Sequence, residues 1–395
     1  MPGAVPVQIM QGIEVPTSSI NPAQFFQLTR RLTILEKNLA SFAGLGSTDT
    51  IPILQTGVLS GIMVQFSGNL VITTPTGAAA TTGRWPYDLP RAMRFTANGQ
   101  SNLINCHGGA LKARELMARG DLTDRGVVRG IGGASPGTQV NQGTMSLNTE
   151  SWGVGQSVTA IPAGTYPVEL EWYVPVAFDD LTLQGAIFAQ TSATDLYLAI
   201  DWAPSSDLFQ LTGTATATLT GSVNAFATLY TIPQAPSGDI IIPDLSVFHS
   251  LIESRVSTLG NGDNEVRLAG QGVGKQLLRI FGRTWNNGTA AQVQLPVNTA
   301  NYGQMLWRFG GNDTPEIYNN GSAFSHRIEK VFNDDICSTQ GFWCHDFASE
   351  NAFRDSVDEG TATELRFLVN IQNSVTLTNA YAEYVQETVS IGSAA

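Results

Sequence analysis

Residues 196–202 read Leu196-Tyr197-Leu198-Ala199-Ile200-Asp201-Trp202. Leu196, Leu198, Ile200 and Trp202 fall on one face of an extended chain, and Tyr197, Ala199 and Asp201 fall on the other. The same alternation runs through Val168, Leu170, Trp172 and Val174 against Glu169, Glu171 and Tyr173. It returns at Leu365, Phe367, Val369 and Ile371 against Glu364, Arg366, Leu368 and Asn370, and at Val58, Ser60, Ile62, Val64 and Phe66. Period-two patterning predicts antiparallel strands with one face in a core. Gly- and Asn-rich loops such as 130–143 and 310–322 separate them. Many short strands between such turns predict an all-β sandwich or barrel.

Two pieces of this pattern recur in the same order. Arg94-Phe95, Asn98-Gly99 and Gly108-Gly109-Ala110-Leu111-Lys112-Ala113-Arg114 have a counterpart in Arg308-Phe309, Gly311-Asn312 and Gly321-Ser322-Ala323-Phe324-Ser325-His326-Arg327. Ala193-Thr194-Asp195 through Asp201 has a counterpart in Ala362-Thr363-Glu364 through Asn370. One β-domain used twice accounts for both, with extra residues in the first copy assigned to the Gly-rich segment 120–160.

Composition agrees. The chain has 395 residues, room for about two domains, and 42% of them are hydrophobic, enough for real cores. Charged residues are only 14% against ~25% in ordinary soluble domains, which suits a surface largely buried against neighbours. The net charge of −12 argues against direct contact with nucleic acid, which needs clustered Lys and Arg. Three cysteines, Cys106, Cys337 and Cys344, make no disulfide framework and are expected as reduced thiols. Met1–Pro6 lacks the basic and apolar regions of a signal peptide. No uninterrupted apolar run approaches the ~20 residues of a membrane span.

Ahead of the strands, Asn21 and Pro22 are placed to start a helix. Phe25, Leu28, Leu32, Leu35, Leu39 and Phe42 then fall at helical spacing, which predicts an amphipathic helix over 22–43 ended by Gly44 and Gly46. Arg30, Arg31 and Lys37 lie off its apolar stripe. They are candidate contacts to a membrane or to the inside of an assembly, each worth ~1 kcal/mol near an anionic surface. Further on, Ile240-Ile241-Ile242-Pro243 closes an extended run. Asp244 then caps an expected short helix with Leu245, Phe248, Leu251 and Ile252 inward, before the turn Gly260-Asn261-Gly262-Asp263. The organisation read from this is an arm and helix over 1–49, a first barrel over 50–243, a connector over 244–264 and a second barrel over 265–395.

Catalytic and metal motifs fail at named positions. Gly270-Gln271-Gly272-Val273-Gly274-Lys275 has Ala269 and Gln276 where a phosphate loop needs Gly and Ser or Thr. Cys337, Cys344, His345 and Asp346 are too widely spaced for a zinc site, and neighbours on a strand point apart. A nucleophile triad finds no support, because the four histidines at 107, 249, 326 and 345 are scattered and suggest no base. Arg119-Gly120-Asp121 reads as a turn, Asp334-Asp335 as a turn or cap, and Asn287-Gly288-Thr289 carries no meaning without secretion. No enzyme activity, cofactor or metal is expected.

The segment Leu170-Glu171-Trp172-Tyr173-Val174-Pro175-Val176-Ala177-Phe178, followed by Asp180–Ile187, resembles the first barrel of the double jelly-roll major capsid proteins of tectiviruses, the membrane-containing tailless phages. The resemblance continues through Leu196–Trp202 and Ile240–Phe248, and includes the helix start Asn21-Pro22-Ala23-Gln24. It is densest over 165–285, and the order of the pieces carries it. It implies two tandem eight-stranded jelly rolls with an N-terminal amphipathic helix. It further implies trimers of nearly hexagonal outline that tile an icosahedral shell, with the helix near an internal membrane. Partners would be the chain itself, minor capsid and vertex proteins and that membrane. The location would be the virion, after synthesis in the host cytoplasm. A tandem-barrel receptor- or carbohydrate-binding spike is the other reading, with Trp85, Trp152, Trp285 and Trp343 as candidate exposed aromatics. A cupin-like enzyme would need clustered metal ligands, which the sequence lacks.

Overall fold

The computed structural model describes residues 22–39, 41–74, 76–97, 100–119, 163–190, 195–234, 240–268, 274–287, 292–308, 316–332, 341–348 and 365–391, with short stretches at 8–9, 13–14, 126–128, 161 and 357–358. Sixteen strands within them build two barrels. The first uses β1 (Arg31–Leu39), β2 (Thr48–Pro52), β3 (Val58–Thr73), β4 (Pro90–Ala97), β5 (Gln100–Cys106), β6 (Gly164–Pro175), β7 (Leu196–Trp202) and β8 (Thr216–Tyr230). The second uses β9 (Val247–Leu259), β10 (Gly262–Arg267), β11 (Lys275–Asn287), β12 (Tyr302–Arg308), β13 (Ile317–Tyr318), β14 (Phe342–Asp346), β15 (Arg366–Ile371) and β16 (Ala380–Ile391). Helix α1 (Pro22–Leu28) precedes the first barrel, α2 (Gly108–Arg119) follows β5, and α3 (Gly321–Phe332) follows β13.

The first barrel has facing sheets in the orders β1-β8-β3-β6 and β2-β7-β4-β5. The second has β9-β16-β11-β14 and β10-β15-β12-β13. Each label of the first barrel plus eight gives the second, so both are the same eight-stranded jelly roll. The internal repeat is therefore structural. Its helical piece falls on α2 and α3, and its strand piece on β7 and β15. The Arg-Phe pieces are two residues out of step. Phe95 pairs opposite Leu198 and Trp307 opposite Phe367, which makes Trp307 the partner of Phe95. Residues 120–125 and 129–160, where the first copy's extra length was expected, lie outside the described residues.

The rolls join edge to edge. β5 runs parallel to β9, with Ile104 opposite Leu251 and Asn105 opposite Ile252. Alternate residues fill each roll: Val64, Phe95, Trp172 and Leu198 in the first, and Ile280, Trp307, Trp343 and Phe367 in the second, all within 1% of full burial. They belong to one apolar cluster that spans both rolls.

Two helices expected from spacing are corrected. The helix over 22–43 ends at Leu28, and residues 31–39 are strand β1. Thr29 makes the last helical turn bond to the Phe25 carbonyl, and its hydroxyl donates to the Thr231 carbonyl, 2.6 Å. From there the backbone pairs with β8, Arg31 to Tyr230 through Leu39 to Val223. A bulge at Leu35–Lys37 breaks the alternation, and this is why apolar residues mimic a helical period. The connector helix after Asp244 is strand β9. Its outer face is covered by the first roll, so Leu251 and His249 are buried on one side while Ile252 faces the other. A strand covered on both faces loses its period-two signature. Each roll thus begins inside a stretch read as arm or connector.

Candidate functional site

The chain's densest chemistry lies at the seam between the rolls. Strand pairing puts Glu383, Val385 and Glu387 of β16 opposite Arg283, Phe281 and Arg279 of β11. This is the outer face of the second roll, and α2, His107 and the loop 84–88 of the first roll close over it. Gly108 and Gly109 make that approach possible. A side chain on Gly109 would run into the Asp88 carboxylate, which instead accepts the Gly109 N–H at 3.0 Å, anchoring the first turn of α2.

One half of the network centres on Glu383. It accepts from Trp285 Nε1 at 2.8 Å, Arg283 Nε at 3.3 Å and Arg84 Nη2 at 3.3 Å. Arg283 and Arg84 both reach on to Asp88 Oδ2, the latter at 2.9 Å. Both guanidinium carbons also lie 4.4 Å from the Trp285 ring centroid, in cation–π range. Burial raises the Glu383 carboxyl, but Arg84, His107 and Arg283 outweigh it and hold the pKa well below the ordinary carboxylate range. The other half centres on Glu387. It accepts from Arg114 Nε at 2.7 Å and Arg279 Nη1 at 3.0 Å, and His249 Nε2 lies at 3.0 Å. Arg279 also meets Asp346 at 3.2 Å. Glu387 is likewise held low: burial opposes, and Arg114 and Arg279 prevail.

His107 and Glu253 lock the point where the two sheets meet. The backbone N–H of His107 donates to Glu253 Oε2 at 2.8 Å, and ring Nδ1 lies 2.8 Å from the same oxygen. Burial pulls the imidazole pKa down, but Glu253 and Glu383 more than reverse this, so it stands above the usual histidine value. His107, Glu253 and Glu383 offer ligand atoms within 4.8 Å of one another. The Glu383 carboxylate is already engaged by two guanidiniums, and Arg283 Nη1 beside it is a buried donor without a partner. That chemistry fits an ion-pair lattice better than a cation.

The residues singled out from sequence are dispersed. Arg30 and Arg31 are exposed where α1 passes into β1, and Lys37 is half-buried farther along β1. Cys344 and Asp346 pair with Phe281 and Arg279 on the seam side of β14, whereas His345 pairs with Ile280 and turns into the second roll. There His345 Nδ1 lies 2.9 Å from Glu316 Oε2, among Trp307, Phe324 and Phe367. Burial pushes its pKa down to about 4. Cys337 lies outside the described residues. Trp85, Trp285 and Trp343, candidates for exposed ligand-binding aromatics, are fully buried, and Trp152 lies outside the described residues. Among the described residues, the aromatics on which a carbohydrate-binding spike would rest are thus buried.

Sequence reasoning missed the seam. Its signal was present as Glu383-x-x-x-Glu387 and Arg279-x-x-x-Arg283, like charges four apart in apolar strands and hence on one face.

No protein-family model matches the chain, and no curated protein matches it. Solved structures do. The STIV major capsid protein superposes with a TM-score of 0.63 at 13% identity, over 92% of this chain and 97% of that one. A chain from the atomic structure of Sulfolobus Turreted Icosahedral Virus gives 0.62 at 13% identity, over 92% and 91%. The Faustovirus major capsid protein gives 0.53 at 11% identity, over 92% and 90%. The chain therefore has the double jelly-roll fold, the fold of these viral capsid proteins.

Proposed function

We propose that this chain is the major capsid protein of an icosahedral virus with a membrane inside its shell, and that it acts as a structural subunit rather than an enzyme. The observation that carries the reading is the pair of equivalent jelly rolls joined edge to edge in one chain, the fold shared with the capsid proteins above. The join is heterologous: β5 of one roll meets β9 of the next. Heterologous contacts repeated around an axis close into rings. Three copies place six rolls around a threefold axis, a six-sided capsomer able to tile a shell. A surface with few charges fits obligate interfaces of a few thousand Å².

The base of the molecule is the proposed membrane side. Phe25 of α1 packs with Leu183, Ile241 and Leu245 in one cluster, which fixes α1 beside the passage between rolls. Around it Phe26, Leu28 and Leu181 are exposed, Leu181 at 83%. With Arg30 and Arg31 they pair apolar side chains with cations, the combination an anionic lipid surface takes up. Lys37 lies farther up β1 and joins the proposal less directly. Neighbouring capsomers, minor capsid and vertex proteins and the membrane are the proposed partners, with the membrane between this acidic protein and the genome. The virion is the proposed location, after synthesis in host cytoplasm.

Electron microscopy of the purified protein should show six-sided particles with threefold symmetry. Uniform single two-lobed particles at all concentrations would remove the reading. Flotation with anionic vesicles should weaken on combined Arg30→Glu and Arg31→Glu substitution. Unchanged flotation would remove the membrane assignment alone.

A further inference from the structure

The two rolls reach for each other with histidines across the seam. His107 stands between the end of β5 and the start of α2 in the first roll, and its ring reaches toward Glu253 of β9 and Glu383 of β16 in the second. His249 of β9 belongs to the second roll, and its ring reaches the Pro175 carbonyl at the end of β6 in the first. Both histidines are 2% exposed.

Each ring has acceptors on both sides. His249 Nδ1 lies 3.0 Å from the Pro175 carbonyl oxygen, and Nε2 lies 3.0 Å from Glu387 Oε1. A carbonyl and an ionised carboxylate only accept, and a neutral imidazole has a single N–H. A neutral ring would turn a lone pair onto a buried acceptor and leave one contact unmade. His107 repeats the arrangement. Its Nδ1 lies 2.8 Å from Glu253 Oε2, which already accepts the His107 backbone N–H. Its Nε2 lies 3.9 Å from both Asp88 Oδ1 and Glu383 Oε2.

We propose that the seam is a proton-locked joint, in which the imidazolium forms of His107 and His249 tie the two rolls together and their loss in mildly alkaline solution loosens the joint while each roll stays folded. The contact lies within one chain, so the inference stands apart from the capsid reading. The other groups facing the rings keep their charge state in that range. Around His107 these are Glu253, Glu383, Asp88 and Arg283, with Arg84 on the same carboxylates as Arg283. Around His249 they are Glu387 and the two guanidiniums it holds, Arg114 of α2 and Arg279 of β11, with Asp346 of β14 beyond Arg279. Guanidiniums do not deprotonate in proteins. Burial and Glu253 push the neighbouring Cys106 thiol well up, so it stays neutral. The sign follows from His107, whose pKa Glu253 and Glu383 raise against the pull of burial. Its hold is complete below the unfolded value and is lost as pH rises through the folded one. Backbone pairing offers little reserve, because β5 and β9 pair only at Ile104–Leu251 and Asn105–Ile252. Local opening at such a joint needs far less than unfolding of either roll.

Neutron diffraction from deuterated crystals at about pH 7 reads the protons directly. Deuterons on both nitrogens of both rings are expected, and a bare nitrogen in either ring would overturn the proposal. Amide hydrogen exchange of the unmodified chain reads the joint. Corrected for the intrinsic rate, protection in β5, α2 and the first half of β9 should fall about tenfold from about pH 7 to about pH 9, with β7 and β15 unchanged. Equal seam protection at both pH values would deny the lock, and an equal loss in β7 and β15 would show unfolding of the whole chain; either overturns the proposal. His107→Gln combined with His249→Gln should show the alkaline level of seam exchange already at about pH 7 and no further response. A folded double variant that keeps the tenfold response would also overturn it, and if that variant does not fold, the two measurements on the unmodified chain decide.

Discussion

Glu383 and Arg283 are buried residues whose partners come from both rolls, and single substitutions there should cost more than their contacts suggest. Arg283 is fully buried. Replacing it with Met leaves Asp88 and Glu383 short of a cation in a low-dielectric seam. A loss of about 3–5 kcal/mol is expected by denaturant melting. Adding Glu383→Leu should return part of that loss, because an apolar pair replaces a broken ionic one, and a purely additive double variant would contradict this reading. The histidines make opposite demands on pH. His345 stands at about 4 when folded, below its ordinary value. Its contribution is complete above about pH 6.5 and is lost as pH falls toward 4, up to roughly 3 kcal/mol by linkage. His107 is raised, so its contribution is complete below its unfolded value and is lost as pH rises through the folded one. His345→Phe should therefore flatten the acid side of the stability profile, and an unchanged acid limb would count against the buried neutral ring.

At the scale of elements, β1 and β9 show what local pattern could and could not reveal. The alternating strands β3, β6, β7 and β15 were readable because one face meets the core and the other is more open. β1 was not, because its bulge offsets the alternation and its leucines are good helix formers that pairing with β8 overrides. β9 was not, because the neighbouring roll covers its outer face. Both are the first strands of their rolls, so one kind of error shifted both domain starts. The short helices α2 and α3 were visible only as a repeated motif, since the reasons for their glycines, close approach of Gly109 to Asp88 and of Gly321 to the Asn298 backbone, are contacts outside the local pattern. A deletion series follows. Removing residues 1–20 should leave thermal stability of the roll nearly unchanged. Removing 1–44 takes away β1, exposes the β8 edge and should lower the melting temperature by several degrees. Equal melting of the two truncations would contradict the strand assignment.

For the whole molecule, the tandem-barrel organisation was legible from the repeat without knowledge of any relative. The seam was not, because ionic contacts between strands far apart in the chain leave only sparse marks in sequence. The seam joins the rolls into one unit, the one that the proposed trimer would repeat. Light scattering of the purified chain tests this most directly. The account predicts a particle of three times the 42.2 kDa chain mass that persists on dilution; a stable, well-folded monomer at high concentration would contradict it.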